Sequence, residues 1–291
     1  MVSEPAVLPW TILKVLSWSE GYFNSLDIDS ARLTAELLLC HCLGIKRLDL
    51  YLQYDRPLQK NELALYKELI KRRAKREPVA YITGSKGFFL SELLITPEVL
   101  IPRPDTETLV ETALDLLKKA ESKKVLELGV GSGAVIISLA KANVNCSYVG
   151  VDISPGAVKV AVENGEKAAC KNVVFVAGSW FSCFKKIELF DLIVSNPPYI
   201  PSLDIDSLQP EISEYEPRLA LDGGEDGLDC VREIIETASF YLKPGGVLLM
   251  ETGSDQKNGV KEIADRALVY DSLEYVKDYA GHDRVAKLKK R

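Results

Sequence analysis

The chain has 291 residues, 47% of them hydrophobic, with 36 Lys and Arg against 42 Asp and Glu, for a net charge of −6. That length accommodates one large domain and a small one, and the hydrophobic share is ordinary for a globular protein. No apolar run approaches the ~20 residues needed to cross a bilayer, the start Met1-Val2-Ser3-Glu4-Pro5 lacks the basic and apolar regions of a signal peptide, and the negative balance argues against general polyanion binding.

Helical periodicity opens the chain. It begins at Ile12, Val15, Leu16 and Trp18, resumes after a cap near Asp29-Ser30, runs to Gly44, and returns over about 60–73. Residues 1–76 therefore form a small helical domain. Its basic run Lys71-Arg72-Arg73-Ala74-Lys75-Arg76 reads as the solvated end of a helix, where cations suit the dipole; an acidic protein partner or nearby RNA is the sharper alternative. Cys40-His41-Cys42 does not make a metal site, because residues two apart on a helix do not face each other and no second ligand pair appears. The six scattered cysteines suit reduced core positions in a cytoplasmic protein.

Over 77–104 the pattern changes to short strands: Tyr81–Gly84, Phe88–Leu90 and Leu93–Thr96, a β-hairpin between domains. Ile101-Pro102-Arg103-Pro104-Asp105-Thr106-Glu107 then forces an extended entry, with Asp105 or Thr106 capping a helix that runs to about residue 120. From there to 291, strands near 124–128, 147–152, 172–176, 190–195, 245–251, 273–278 and 284–289 alternate with helices near 132–142, 155–168, 226–241 and 256–268. Alternation of this kind gives a mostly parallel, Rossmann-like sheet with helices on both faces, and the last two strands an antiparallel hairpin at its edge.

Two turns in this region carry chemistry. The first is Glu127-Leu128-Gly129-Val130-Gly131-Ser132-Gly133, between a strand and an apolar helix, where glycines let a ligand approach the backbone. Asp152, at the tip of the next strand, suits a ribose. Dinucleotide enzymes use a different glycine spacing and place a pyrophosphate at the helix N-terminus. Here Glu127 would repel a pyrophosphate but favour a cation, such as the sulfonium and ammonium of S-adenosylmethionine. The second turn is Asn196-Pro197-Pro198-Tyr199, at the end of an apolar strand that should lie beside the strand carrying Glu127. The Asn196 side-chain oxygen and the Pro197 carbonyl are acceptors suited to the two N–H groups of a planar –NH2, and Tyr199 can lie against the group so held.

Read with Arg76-Glu77-Pro78-Val79-Ala80-Tyr81-Ile82-Thr83-Gly84 and Glu216-Pro217-Arg218-Leu219-Ala220-Leu221, in this order, these motifs resemble the bacterial peptide chain release factor glutamine methyltransferases (the PrmC, or HemK, family) across essentially the whole chain. The resemblance implies a class I S-adenosylmethionine-dependent methyltransferase fold with a seven-stranded sheet. It implies methylation of the side-chain amide nitrogen of the glutamine in the Gly-Gly-Gln motif of class I release factors, leaving S-adenosylhomocysteine. It implies that residues 1–76 recognise the substrate, 77–104 link the domains and 105–291 catalyse. Glu127, Gly129, Val130, Gly131, Ser132, Gly133, Asp152, Trp180 and Asn196 would bind the cofactor, with Trp180 near the adenine. Asn196, Pro197, Pro198 and Tyr199 would hold the substrate, with Asn196, Pro197 and Tyr199 catalytic. Members often have an acid before that Trp; here the position is Ser179, which still accepts a hydrogen bond. On the residues alone Trp180 serves equally as a core aromatic. Glu251 reads as a solvated strand end, and Arg103, Asp105 and Glu107 as candidate contacts to the protein substrate. A monomer without metal, membrane or nucleic-acid substrate is expected. A ribosomal protein glutamine is the alternative substrate; an adenine N6 is a further one, disfavoured by the charge.

Overall fold

The computed structural model describes residues 9–118 and 122–291. The reading of residues 1–5 and the expected helix end near residue 120 fall outside them. The chain divides into two compact units, Met1–Gly84 and Ser85–Arg291.

The first unit holds helices α1 (Ile12–Asn24), α2 (Ala31–Leu43), α3 (Arg47–Leu52), α4 (Lys60–Ala74) and α5 (Val79–Thr83). Ile12, Leu16, Phe23, Leu38, Leu39 and Tyr66 recur at helical spacing and close its core. Residues 81–84, expected as a strand, instead belong to α5 and its cap. The β-branched residues there favour strand locally, but the Tyr81 and Ile82 amides both donate to the Pro78 carbonyl at 3.0 Å, Ile82 enters the helical core, and Gly84 ends the turn at φ +73°. The basic run closes α4 with Lys71, Arg72 and Lys75 exposed, as expected of a solvated helix end, while members of the run are also tied into the unit. Arg72 makes a fork with Glu77, Arg73 is buried, and Arg76 donates to the Leu26 and Asp27 carbonyls.

The second unit opens with a hairpin, β1 (Ser85–Phe88) and β2 (Ser91–Leu94), then continues through α6 (Glu107–Leu117), β3 (Lys124–Leu128), α7 (Ala134–Ala142), β4 (Ser147–Asp152), α8 (Pro155–Lys167), β5 (Val173–Ala177), β6 (Phe190–Ser195), α9 (Pro210–Ser213), α10 (Asp229–Ala238), β7 (Leu242–Glu251), α11 (Lys257–Ala267), β8 (Tyr270–Lys277) and β9 (Asp283–Lys290). Among the described residues seven strands form one sheet in the order β5-β4-β3-β6-β7-β9-β8. The first five pair in parallel and the last two antiparallel. Central strands are apolar on both faces, as Leu126, Leu128, Leu192, Ile193 and Val194 show, because helices cover both sides of a parallel sheet.

The chain builds β3, β4 and β5 outward in one direction, then returns to lay β6 against the other side of β3. The crevice at that reversal, at the carboxyl ends of the strands, is where such sheets bind ligands. Register places Glu127 beside Val194 and Leu128 beside Ser195, so both signature turns open at this one place. Gly133, which starts α7, sits at φ +82°, and a Cβ there would lie 2.7 Å from Ile137 Cδ1. Gly133→Ala is expected to lower the unfolding free energy by about 1–3 kcal/mol in urea titration; an unchanged midpoint would contradict this account of the turn.

Candidate active site

The glycine turn is held by the strand beside it. The Gly129 and Val130 amides both donate to the Val151 carbonyl, at 2.9 and 3.0 Å. The Gly131 amide donates to Asp152 Oδ2 at 2.8 Å, and the Ser154 amide to Oδ1 at 2.9 Å. Asp152 is therefore fixed by backbone donors, with further lone pairs on both oxygens. Glu127 lies under the start of α7 and accepts from the Ile136 amide at 2.9 Å. Burial pushes its carboxyl well above the usual range, and the charge of Asp152 adds to the effect. Trp180 adopts a left-handed backbone, φ +44°, a conformation costly for an aromatic residue. Its ring covers Gly129, where a Cβ would lie 3.7 Å from Cζ3.

The second turn is assembled from distant parts of the chain. Ser195 Oγ donates to the Leu128 carbonyl at 2.9 Å, joining the ends of β3 and β6. Asn196 Nδ2 donates to Thr106 Oγ1 at 3.2 Å. Gln256 Nε2 donates to the Tyr199 carbonyl at 2.8 Å and to that of Gly227 at 3.1 Å. The Ile200 amide donates to Leu221 O, and the Gly223 amide to Ile200 O. A Cβ at Gly223 would meet the Pro198 carbonyl at 2.9 Å, so the glycine loop lies flat against the turn. Thr106 does not cap α6 with its side chain, contrary to the capping expected of it; the hydroxyl serves Asn196 instead. Asp105 pairs with Arg284 of β9 at 3.2 Å. Arg103 pairs with buried Glu216 at 2.5 Å, which also accepts from the Ile101 amide, so two sequence motifs are one structural unit.

Glu251 departs from expectation. β7 runs between β6 and β9, so its end is covered, and Glu251 is 1% exposed rather than a solvated strand end. Tyr199 donates its hydroxyl to Glu251 Oε1 at 3.3 Å. Burial raises the Glu251 carboxyl to about 7, although Thr106, Arg284 and Tyr199 act to lower it. The same burial raises the Tyr199 phenol, which stays a donor.

These residues frame two adjoining cavities. One, of about 320 Å³, is lined by Glu127, the Gly129–Ser132 turn, Asp152, Trp180 and Pro198. The other is lined by Pro197, Tyr199 and Glu251 together with apolar Leu208, Ile212 and Leu221. Asn196 and Arg103 line both. Of the residues named from sequence, Gly133 is not on either wall; it packs against Ile137 and Ala161. Thr106, Gln256 and the 223–227 loop were not singled out as site residues, although the glycine spacing of Asp222-Gly223-Gly224-Glu225-Asp226-Gly227 marks a tight loop.

Fold and turns together define a class I methyltransferase. Residues 119–289 match the family described as "Methyltransferase domain" and residues 14–84 the "PrmC N-terminal domain". A methyltransferase structure from Pyrococcus furiosus, 21% identical, superposes with a TM-score of 0.51 over 76% of this chain and 98% of its own, and shows the fold. The chain is 46% identical over 285 residues to the release factor glutamine methyltransferase of Geobacter sulfurreducens, covering 98% of each, and 42% identical over 261 residues to that of Vibrio cholerae, covering 88% and 89%. The chain belongs to the release factor glutamine methyltransferase family.

A carboxyl raised on folding stabilises the protein at low pH, where both states are protonated, and loses that contribution as pH rises through its folded value. For Glu251 the rise from 4.5 to about 7 corresponds to roughly 3 kcal/mol. The stability of Glu251→Gln relative to wild type should therefore increase by up to that amount between about pH 4 and pH 8, read from urea unfolding at each pH. A pH-independent difference would contradict the buried carboxyl.

Proposed function

We propose that this protein transfers a methyl group from S-adenosylmethionine to the side-chain amide nitrogen of the glutamine in the Gly-Gly-Gln motif of class I release factors. One observation carries this reading: Asn196 belongs to both cavities, its amino group is taken by Thr106, and among the described residues nothing donates to its oxygen or to the Pro197 carbonyl, which leaves both available as acceptors. The names of the relatives at up to 46% identity support the same substrate.

The first cavity fits the cofactor by its donor set. Two acids, Glu127 and Asp152, suit a ligand bearing cationic centres and hydroxyls. Gly131, at φ +51°, leaves open space where a side chain would stand, and the Trp180 ring offers an aromatic face. Glu127, Gly129, Val130, Gly131, Ser132, Asp152, Trp180 and Asn196 are its proposed contacts, with Gly133 shaping the turn. When bound, S-adenosylmethionine supplies a methyl group on a positively charged sulfur and is left as S-adenosylhomocysteine.

Everything else falls to the chain. An amide nitrogen is a weak nucleophile because its lone pair is delocalised into the carbonyl. Asn196 Oδ1 and the Pro197 carbonyl hold its two N–H groups, with Pro198 and Tyr199 confining the group, and so aim the lone pair toward the first cavity. Positioning of this kind contributes about 7–11 kcal/mol in well-oriented systems. Both acceptors also favour the positive charge that grows on nitrogen. Asn196 is neutral and is not a base; the proton leaves to solvent after transfer. Residues 1–76 are assigned to recognition of the release factor, a role supported by exposed Trp18, Leu48 and Leu52, with 77–104 as the link and 105–291 as the catalytic part. The protein acts as a cytoplasmic monomer. Among the described residues no helix is long and apolar enough to cross a membrane.

The test is transfer of labelled methyl to purified release factor, with ribosomal protein and DNA as controls; label confined to the controls would overturn the reading. Asn196→Ala should lower kcat by roughly 100–1,000-fold with far less change in cofactor affinity. Equal loss of both would remove the assigned role.

A further inference from the structure

We propose that Glu251 is a positioning residue for this reaction: its carboxylate sets the direction of the hydrogen-bond chain Asn196–Thr106–Glu251–Tyr199, and so keeps the Asn196 side-chain oxygen, not its amino group, turned toward the substrate. The inference rests on the methyl-transfer reading above and adds to it a group that does not touch the substrate amide.

The two ends of an asparagine amide are nearly identical in shape, so packing does not decide which faces the substrate. The hydrogen-bond partner does. Asn196 Nδ2 lies 3.2 Å from Thr106 Oγ1. A hydroxyl has one proton and accepts as readily as it donates, so Thr106 would hold a flipped amide equally well unless its proton were engaged elsewhere. Glu251 engages it. The carboxyl is buried at the end of β7, Oε1 takes the Tyr199 hydroxyl at 3.3 Å, and Oε2 is buried with no hydrogen-bond partner among the described residues. In the proposed chain the Thr106 hydroxyl, which favours the ionised carboxyl, turns its proton to this unpartnered oxygen. With Thr106 giving its proton to Glu251, only lone pairs face Asn196, and only the amino end of the amide fits them.

Protonation reverses the chain. Glu251 then donates, Thr106 accepts and turns its own proton toward Asn196, and the amide is free to flip. A flipped Asn196 presents N–H groups to the N–H groups of the substrate, and the grip is lost. The charged groups around the carboxyl come from three elements. Arg284 of β9 favours the ionised form and is shared with Asp105 and Asp278. Asp105, ahead of α6, opposes ionisation, and Arg103 is committed to Glu216. Tyr199, on the turn itself, keeps its proton. The balance places the transition near neutrality, at about 7.

The experiment pairs two readouts on the full-length protein. In nitrogen NMR without ligand, the Asn196 side-chain NH2 signal, identified by its loss in Asn196→Ala, is followed from about pH 5.5 to 8.5. It should titrate with a midpoint near 7 in wild type, and should not titrate in Glu251→Gln or Thr106→Val. In steady-state kinetics on release factor, wild-type kcat should fall on the acid side with the same midpoint while the cofactor KM stays level. Glu251→Gln should lose about 10–100-fold in kcat and lack the acid limb, and Glu251→Asp should restore that limb. A Glu251→Gln enzyme with wild-type kcat and pH profile, or an Asn196 signal that titrates identically in all variants, overturns the proposal. Should Glu251→Gln fail to fold, Thr106→Val decides by the same readouts. Absence of wild-type transfer at every pH would instead reject the methyl-transfer reading, and the NMR titration would still decide the chain.

Discussion

Two consecutive prolines follow Asn196, and neither has an N–H with which to brace the turn they form. A segment without its own donors must be held from outside, and much of the second unit is arranged to do so. Gln256, from the N-terminal end of α11, anchors the Tyr199 carbonyl. The loop at 223–227 lies so close to the turn that two of its glycines tolerate no side chain. Thr106 and Ser195 fix the turn at its start. Among the described residues no group donates to the Asn196 side-chain oxygen or the Pro197 carbonyl, which suits the proposed amide grip: acceptors that are fixed but not spent.

The second constraint is electrostatic. Glu127, Asp152, Glu216 and Glu251 crowd one edge of the sheet, and burial raises all four carboxyls. Each costs stability when ionised, the pattern expected where function sets side-chain chemistry. Their partners differ with their tasks. Glu216 is neutralised by Arg103 and locks two segments together. Asp152 and Glu127 are held by backbone amides. Glu251 has the Tyr199 hydroxyl rather than a dedicated cation, and burial raises it to about 7, so that it changes protonation near neutral pH.

The alternating strands and helices were legible because a buried parallel sheet demands apolar runs of limited length, and both turns were legible because glycine and proline have few structural uses. The adjacency of Glu127 and Asn196 followed from the fold class and is borne out by the pairing of β3 with β6. Residues 81–84 were misread because local β propensity competes with burial against a helical core, and burial won. Glu251 was misread because a strand end is solvated only when nothing covers it: β9 continues alongside Glu251, and where β6 stops at Ser195 the turn that follows brings Tyr199 onto the carboxyl. Thr106 and Gln256 were illegible as site residues: their partners lie 90 and 57 positions away, and a threonine before a helix has an ordinary capping role that hides any other.

The proposed grip takes both N–H groups of a primary amide. A glutamine that has received one methyl keeps a single N–H and no longer fits. Mass spectrometry of release factor after exhaustive reaction tests this directly. One methyl group is expected, on the glutamine of Gly-Gly-Gln, and no further addition. A dimethylated glutamine, or a methyl on another residue, would contradict it.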